Sequence, residues 1–101
     1  MIRTTTMTLV TVVCEGLLEE RIVAELHELG ARGHTITDVR GEGTRGVHAS
    51  DWEGEVKIET IVPPEVAARM LEHLAGTYFA QFAVIAYAAD VRVVRPAKYA
   101  G

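Results

Sequence analysis

Residues 34 to 62 decide the fold, and they read HTITDV, then RGEGTRGVHASDWEG, then EVKIETIV. The first and last pieces alternate apolar with polar residues, which is the pattern of strands that are buried on one face. We therefore predict strands at His34–Val39 and Glu55–Val62. The middle piece, Arg40–Gly54, has four glycines, mixed charges and no apolar period. A loop of fifteen residues is uncommon in so short a chain, and such loops usually carry function.

A strand and a helix are predicted on the N-terminal side of this stretch. Thr8–Cys14 reads TLVTVVC, a short β-branched apolar run that is typical of a buried strand. From Leu17 onward, apolar residues recur at spacings of three and four, which predicts an amphipathic helix. Gly30 follows the last of them and is expected to cap that helix.

A helix and a further strand are predicted on the C-terminal side. The proline pair at residues 63–64 ends the preceding strand and is tolerated in the first turn of a helix, which we expect to end near Gly76. Phe82–Val94 predicts one or two strands, bent or broken near residues 89–90. Residues 97–101 are expected to form a short tail.

The predicted order is strand, helix, strand, long loop, strand, helix, strand. This order is typical of an α+β, ferredoxin-like βαββαβ fold, in which both helices cover one face of a four-stranded sheet. We predict a single domain over residues 1–101, with a ligand-sensing loop at about residues 40–54. The second face of the sheet is apolar and needs a cover, which a second copy of the chain would supply.

Composition limits the classes of protein to which the chain can belong. Hydrophobic residues make up 49% of its 101 residues and the formal net charge is −4, so the chain is neither disordered nor fibrous. The acidic balance argues against nucleic acid as a partner. Cys14 is the single cysteine, which excludes an intrachain disulfide and favours the cytoplasm. No signal peptide and no membrane span are expected.

The loop contains Gly41, Gly43 and Gly46 at the spacing of a dinucleotide-binding fingerprint. That motif needs a helix after the last glycine, and a strand is predicted here instead, so the dinucleotide-binding interpretation fails. What remains is a loop whose backbone N–H groups and Arg45 could approach an anion. The segment by itself favours the simpler interpretation, a turn without a ligand.

Three cations, Lys57, Arg92 and Arg95, lie in or beside predicted strands. Each alone is most simply a surface charge. Because Lys57 follows the loop in sequence, we expect it near the base of the loop, whereas Arg92 and Arg95 could reach the loop from a neighbouring copy of the chain. Convergence of these cations with the glycine loop would favour phosphate recognition.

The remaining reactive side chains form no recognisable catalytic or metal-binding motif. The four histidines are scattered and none is paired closely in sequence with another histidine or with the cysteine, so no metal site is expected. His27 and His73 are predicted on the polar faces of the helices, and Cys14 is predicted in the core. No carboxylate pair and no nucleophile with a base is apparent. Trp52 is either a packing anchor of the loop or a contact with a partner.

The segment Gly33 to Gly43, GHTITDVRGEG, followed after the loop by VKIE at residues 56–59, resembles PII-like signalling proteins. The similarity is greatest to the carbon-metabolism branch of that family, which comprises the carboxysome-associated PII-like proteins and the regulator of the sodium-dependent bicarbonate transporter. The resemblance extends from Thr8 to Arg95. It implies a non-catalytic regulator that forms a homotrimer of ferredoxin-like subunits, with the sheets facing inward.

The resemblance implies ligands as well as a fold. Adenine nucleotides would bind in the clefts between subunits, with ADP or AMP preferred and ATP as a further candidate. Bicarbonate is implied as a second effector, and no catalytic cofactor is implied. The loop would change conformation with the ligand and thereby control a partner, either a bicarbonate transporter or a carboxysome component.

The resemblance also implies which residues bind these ligands. At the adenine pocket they are Thr35, Glu59 and Ile61. At the loop base, around the phosphates, they are Gly41, Gly43, Thr44, Arg45, Gly46 and Val47, of which Gly43, Arg45 and Gly46 would also hold bicarbonate. The residues that resemble the cationic positions are Lys57, Arg92 and Arg95.

The chain also departs from well-known patterns of the family. Its loop is shorter than that of nitrogen-regulatory PII proteins and has no modifiable tyrosine, so uridylylation is not expected there. It lacks their lysine loop after the second helix, which favours ADP or AMP over ATP with 2-oxoglutarate. It also lacks the cysteine-bearing tail of the transporter regulator, so no disulfide switch is expected.

Two other functions stay open on the residues alone. The first is a small trimeric enzyme that hydrolyses nucleotides or processes a metabolite in its clefts. The second is a ferredoxin-like module that senses metals or amino acids without a nucleotide.

Overall fold

The computed structural model of the chain describes residues 1–41 and 54–100. The strands are β1 (Thr5–Glu15), β2 (Thr35–Val39), β3 (Glu55–Val62) and β4 (Ile85–Val93). The helices are α1 (Glu19–Leu29), α2 (Pro64–Tyr78) and α3 (Ala97–Ala100), and a single 3-10 turn, Gly16–Leu18, precedes α1. None of the helices in this part of the chain is long and apolar enough to cross a membrane.

The strands form one four-stranded sheet in the order β2-β3-β1-β4, and each neighbouring pair is antiparallel. One row of paired residues crosses the whole sheet, from Ile36 in β2 through Ile58 and Val12 to Ala86 in β4. This topology confirms the predicted α+β, ferredoxin-like fold. The long loop joins the edge strand β2 to β3, as expected.

The core lies between one face of the sheet and the two long helices. Alternate residues of β1 and β3 point into it, as the sequence pattern predicts, and Val10, Val12 and Ile58 are fully buried there. From the helices, the fully buried side chains are Ile22, Leu26, Met70, Leu74 and Tyr78. Burial of this apolar surface is the main favourable contribution to folding.

The other face of the sheet carries apolar side chains along β1 and β4 and is partly open. Ile85 and Tyr87 on β4 are 53% and 51% exposed, and Leu9 and Ile61 next to each other on β1 and β3 are half-buried. Among the described residues, only the short C-terminal helix α3 approaches this face, next to β3, and it leaves Ile85 and Tyr87 uncovered. An uncovered apolar face of this kind is what the sequence leads us to expect, and it is suited to contact with another chain.

The first helix ends as predicted. Gly30 has a φ of 128°, which favours glycine, and its N–H donates to the carbonyl oxygens of the last turn of α1. A Cβ at this position would approach Cγ1 of Val66 to 3.1 Å. Gly30 therefore both caps α1 and allows the chain to pass close to α2.

Several details differ from the sequence prediction, among them the starts of β1 at Thr5 and of β4 at Ile85. Helix α2 continues past Gly76 to Tyr78, because Tyr78 is buried in the core and extends the apolar stripe by one turn. Strand β4 is unbroken at residues 89–90, since Ala89 and Asp90 stay paired with β1. Of the two predicted alternatives, bent or broken, the broken strand was wrong: Asp90 is tolerated because it is exposed on an edge strand. The expected tail contains the short helix α3.

Candidate functional site

A cleft of about 500 Å³ opens where the start of β2, the end of β3 and α3 come together. The residues that line it are Leu9, Arg32, Gly33, His34, Thr35, Glu59, Thr60, Ile61, Lys98 and Tyr99. Its volume lies within the range of small-molecule sites, roughly 300–1,000 Å³. The lining combines apolar side chains with a carboxylate, three hydroxyls, an imidazole and two cations.

The segment between α1 and β2 is held against β3 by side-chain and backbone hydrogen bonds. The Thr60 hydroxyl, which is buried, donates to the Gly33 carbonyl oxygen at 2.7 Å. The Ala31 N–H donates to the Leu26 carbonyl oxygen at 2.9 Å. These bonds satisfy buried polar groups, and they fix the backbone at one wall of the cleft.

The residues that the resemblance assigns to the adenine pocket lie together in this cleft. Thr35 is paired directly with Glu59, and Ile61 follows on the same face of β3. Leu9, opposite Ile61 on β1, extends the apolar floor. The structure thus brings Thr35, Glu59 and Ile61 together, whereas their contact with adenine stays a prediction.

Sequence reasoning missed six side chains of the cleft: Leu9, Arg32, His34, Thr60, Lys98 and Tyr99. Lys98 and Tyr99 belong to α3, which packs next to β3 where only a tail was expected. A tyrosine within the alanine-rich end of the chain was the available signal for a packed segment. Arg32 and Lys98 are exposed cations, so they add positive charge beside the half-buried Glu59.

The predicted cations do not converge within one chain. Lys57 pairs with Val13 and lies on the same face of β3 as Glu59, one alternation nearer the loop. Arg92 pairs with Thr6, seven residues from Val13 along β1, which is a separation of about 23 Å at about 3.3 Å per residue. Lys57 and Arg92 also project from opposite faces of the sheet. Their convergence, with Arg95, would therefore require a neighbouring copy.

The loop part of the predicted site falls mostly outside the described residues. Gly41 is described and exposed. The predicted phosphate-binding residues Gly43, Thr44, Arg45, Gly46 and Val47, which include the expected bicarbonate contacts, lie outside the described residues, and so does Trp52.

The strongest polar cluster of the described residues lies between the helices, away from the cleft. Glu25 on α1 accepts hydrogen bonds from the Tyr78 hydroxyl at 2.5 Å and from Nε2 of His73 at 3.0 Å, both on α2. Arg21 donates from Nε to the second Glu25 oxygen at 3.4 Å, and its guanidinium lies 4.9 Å from the centre of the Tyr78 ring. The cluster links α1 to α2.

The pKa values around this cluster reflect a structural role. Burial raises the pKa of Glu25, but the hydrogen bonds from Tyr78, His73 and Arg21 outweigh it and lower the pKa below its ordinary value. Burial, and then the hydrogen bond to Glu25, raise the pKa of Tyr78 to about 12.

Burial, and then nearby glutamates, raise the pKa of Cys14 to about 11. Cys14 is therefore a core thiol, as predicted, with little thiolate near neutral pH.

Two histidines that are distant in sequence meet in the structure. His27, in the last turn of α1, and His34, directly before β2, face each other with Nε2 and Nδ1 2.9 Å apart. The view of the histidines as scattered residues was therefore wrong for this pair. His73 likewise contacts Glu25 instead of lying free on a polar face.

Comparison with known proteins agrees with this fold. The profile of the family described as Nitrogen regulatory protein P-II matches residues 7–98. The chain belongs to the P-II family. The resemblance stated from the sequence is thereby confirmed at the level of the family.

Solved structures of other P-II-like proteins share the fold. A PII-like signalling protein from Thermus thermophilus is 46% identical, with 97% of this chain and 99% of that chain covered and a TM-score of 0.85. CPII, a nitrogen regulatory PII-like protein from Thiomonas intermedia, was solved bound to ADP, AMP and bicarbonate; it is 22% identical, with 100% of each chain covered and a TM-score of 0.90.

A more distant structure also matches. It is a DUF3240 family protein from Shewanella baltica, which is 20% identical, with 86% of this chain and 91% of that chain covered and a TM-score of 0.64. The similarity to CPII and to the Shewanella protein demonstrates the shared fold, since both identities are low.

Proposed function

We propose that this P-II protein is a non-catalytic regulator that binds ADP or AMP, together with bicarbonate, in clefts between the subunits of a homotrimer. The observation that carries the proposal is the cleft beside β2 and β3, which collects Thr35, Glu59 and Ile61 in one place. The related fold of CPII, solved with ADP, AMP and bicarbonate, supports the choice of these ligands.

The chemistry of the cleft suits an adenosine phosphate. Leu9 and Ile61 offer apolar surface to the face of a purine, while Glu59 and Thr35 offer hydrogen-bonding groups to its polar edge or its ribose. The cations Arg32 and Lys98 beside the cleft would attract the negative charge of the phosphates. Lys57, on the same face nearer the loop, is placed to extend that positive region toward the loop base.

The open face of the sheet supports a trimer with shared sites. A cleft on the edge of an apolar face is incomplete while that face is exposed, and Ile85 and Tyr87 leave it exposed in the single chain. A neighbouring copy packed against the face would cover these residues and close the cleft from the other side. In this proposal Arg92 and Arg95 contact the ligand of a neighbouring subunit, since Arg92 lies about 23 Å along the sheet from Lys57 in one chain.

The regulatory step in this proposal is a change of the loop at residues 40–54. This loop joins β2 to β3, the two strands that carry Thr35 and Glu59. Nucleotide and bicarbonate would both contact the loop, so each would favour the same loop conformation and raise the affinity for the other. The loop would then control a partner in inorganic-carbon uptake or carboxysome function from the cytoplasm.

Calorimetric titration of the whole chain with AMP, ADP and ATP, with and without bicarbonate, tests this function. We expect ADP or AMP to bind best, and bicarbonate to raise that affinity. The Glu59→Gln variant should bind about 10- to 100-fold more weakly, because loss of a hydrogen bond to a charged group costs about 1.5–3 kcal/mol. Glu72→Gln, an exposed position on α2, is the matched control and should bind as the wild type does.

Two results would count against the proposal. The first is the absence of nucleotide binding by the wild-type chain. The second is equal ADP affinity in Glu59→Gln and wild type, which would move the ligand out of this cleft. Release of phosphate during incubation with ATP would instead favour the nucleotide-hydrolysing enzyme.

A further inference from the structure

His27 and His34 face each other at the edge of the proposed nucleotide cleft. His34 lines the cleft, whereas His27 lies outside it and has no part in the proposed nucleotide chemistry. Their rings lie 5.1 Å apart between centroids and are nearly perpendicular, at 84°, so that Nε2 of His27 approaches Nδ1 of His34 to 2.9 Å. Both side chains are exposed. A pair of accessible imidazoles at this distance is a candidate for binding a metal ion, because neutral imidazole is a good ligand for Cu, Ni and Zn.

The backbone on both sides of the pair is fixed. Gly30 ends α1 and turns the chain, and the Ala31 N–H donates back to Leu26. Gly33, next to His34, is held to β3 by the Thr60 hydroxyl. The two Cα positions are therefore set by the fold, while the exposed rings can still rotate. Such preorganisation lowers the entropic cost of bringing two ligands to one ion.

We propose that Nε2 of His27 and Nδ1 of His34 bind one Cu(II) ion, with water at the remaining positions. Without metal, one ring nitrogen donates its N–H to the other. Binding requires a lone pair from both nitrogens. The donating ring therefore takes its other tautomer, its proton moving through solvent to the outer nitrogen, so each neutral ring keeps one proton.

The distance between the two nitrogens favours Cu(II) over Zn(II). With metal–nitrogen bonds of about 2.0–2.1 Å, two cis ligands of a tetragonal ion lie roughly 2.8–3.0 Å apart, whereas two ligands of a tetrahedral ion lie roughly 3.3–3.4 Å apart. The hydrogen-bonded separation of 2.9 Å lies closer to the first value, so the two nitrogens move apart less to bind a tetragonal ion than a tetrahedral one. Cu(II) also binds a given nitrogen site more tightly than the other divalent first-row metals do.

The number of protein ligands also favours Cu(II) over a structural zinc ion. Among residues 1–41 and 54–100, no group of three or more histidine, cysteine, aspartate or glutamate side chains could hold a metal ion. A closed structural zinc site uses four such ligands. A site with two imidazoles and several waters is compatible with an exposed tetragonal ion.

The proposed copper site lies beside the nucleotide cleft but does not depend on it. His34 stands between Gly33 and Thr35, which both line the cleft, whereas His27 is on α1 outside it. Substitution of His27 therefore removes a metal ligand without removing a residue of the cleft. The same variant can be assayed with ADP, so loss of copper binding and loss of nucleotide binding are distinguishable.

Titration of the whole chain with CuCl₂ in the absence of nucleotide tests the site, with calorimetry for affinity and electron paramagnetic resonance for the ligands. We expect one high-affinity Cu(II) per chain and hyperfine splitting from two imidazole nitrogens. His27→Gln and His34→Gln should each weaken binding at least about tenfold, because each removes one of two protein ligands. ZnCl₂ should bind more weakly than CuCl₂.

His73→Gln and His48→Gln are the matched controls, since each also removes one histidine but leaves the pair intact. They should keep the wild-type affinity for Cu(II). Circular dichroism confirms folding, and the exposed position of His27 makes its loss tolerable. Unchanged Cu(II) affinity in His27→Gln would overturn the proposal, as would an equal loss of affinity in either control.

Discussion

Both faces of the sheet carry large apolar side chains, yet those side chains meet different surroundings. Ile58 on β3 faces the helices and is 0% exposed, whereas Ile85 on β4 faces the other way and is 53% exposed. The helices α1 and α2 cover the first face, and in the described part of the chain nothing comparable covers the second. The difference indicates that the first face stabilises the single chain and that the second is available to a neighbouring copy.

Shortening one isoleucine on each face tests whether the two faces contribute differently to the stability of the single chain. Ile58→Ala should lower the free energy of unfolding by about 2–5 kcal/mol, because it leaves a cavity in the core. Ile85→Ala should have a much smaller effect on the unfolding of dilute, dissociated chains. Urea unfolding followed by circular dichroism measures both. Similar losses in the two variants would show that the open face contributes to the core.

A charge on the open face tests whether a second copy covers it. Tyr87→Lys should shift the assembly from three chains toward one, because a buried ammonium at the proposed interface is not compensated by a partner charge. Sedimentation equilibrium measures the mass. Ala24→Lys, on the exposed side of α1, is the control and should keep the wild-type mass. A trimer that survives Tyr87→Lys would place the interface elsewhere.

Removing the hydroxyl group of Tyr78 or of Tyr87 compares a buried tyrosine with one on the open face. Tyr78→Phe removes the hydrogen bond to Glu25 across α1 and α2 and should cost about 1–2 kcal/mol of stability, since the acceptor is charged and partly exposed. Tyr87→Phe, on the open face, should change stability by less than about 0.5 kcal/mol. Thermal unfolding measures the stability of both variants, and equal midpoints would show that the hydrogen bond from Tyr78 to Glu25 does not stabilise the fold.

The smallest expected effect is a dependence on pH. The pKa of Glu25 is lowered from 4.5 in the folded chain, so its contribution to stability is complete above about that pH and is lost as the pH falls through the folded-state value. The stability difference between wild type and Glu25→Gln should therefore shrink as the pH falls from 4.5 through the lower folded-state pKa. Glu72→Gln is the control. A difference that stays constant over this range would contradict the lowered pKa.

Much of the covered face was predictable from local pattern. The alternation of β3 correctly places Val56, Ile58 and Thr60 on the buried side, and Gly30 correctly marks the end of α1. The predicted break at residues 89–90 failed because a polar residue on an exposed edge strand does not interrupt its pairing. Local pattern predicts which face of a strand each residue lies on. It does not predict a break, because the exposed positions of an edge strand accept polar and apolar residues alike.

The candidate site was predictable in part. Thr35, Glu59 and Ile61 were identified through the family resemblance, and they do share one cleft. Lys98 and Tyr99 were missed because α3 has only four residues and no periodic pattern that would indicate where it packs. The pair His27 and His34 was missed because the turn at Gly30 brings together two side chains seven positions apart.

The sequence by itself determined the order of strands and helices, the two apolar faces of the sheet and the family of the protein. These features depend on alternation, helical spacing and caps, which act over a few neighbouring residues. Only the tertiary structure decided which distant side chains meet: α3 at the cleft, Glu25 with Tyr78, and the two facing imidazoles. Such contacts depend on the path of the whole backbone, because turns and helix packing determine where each side chain lies.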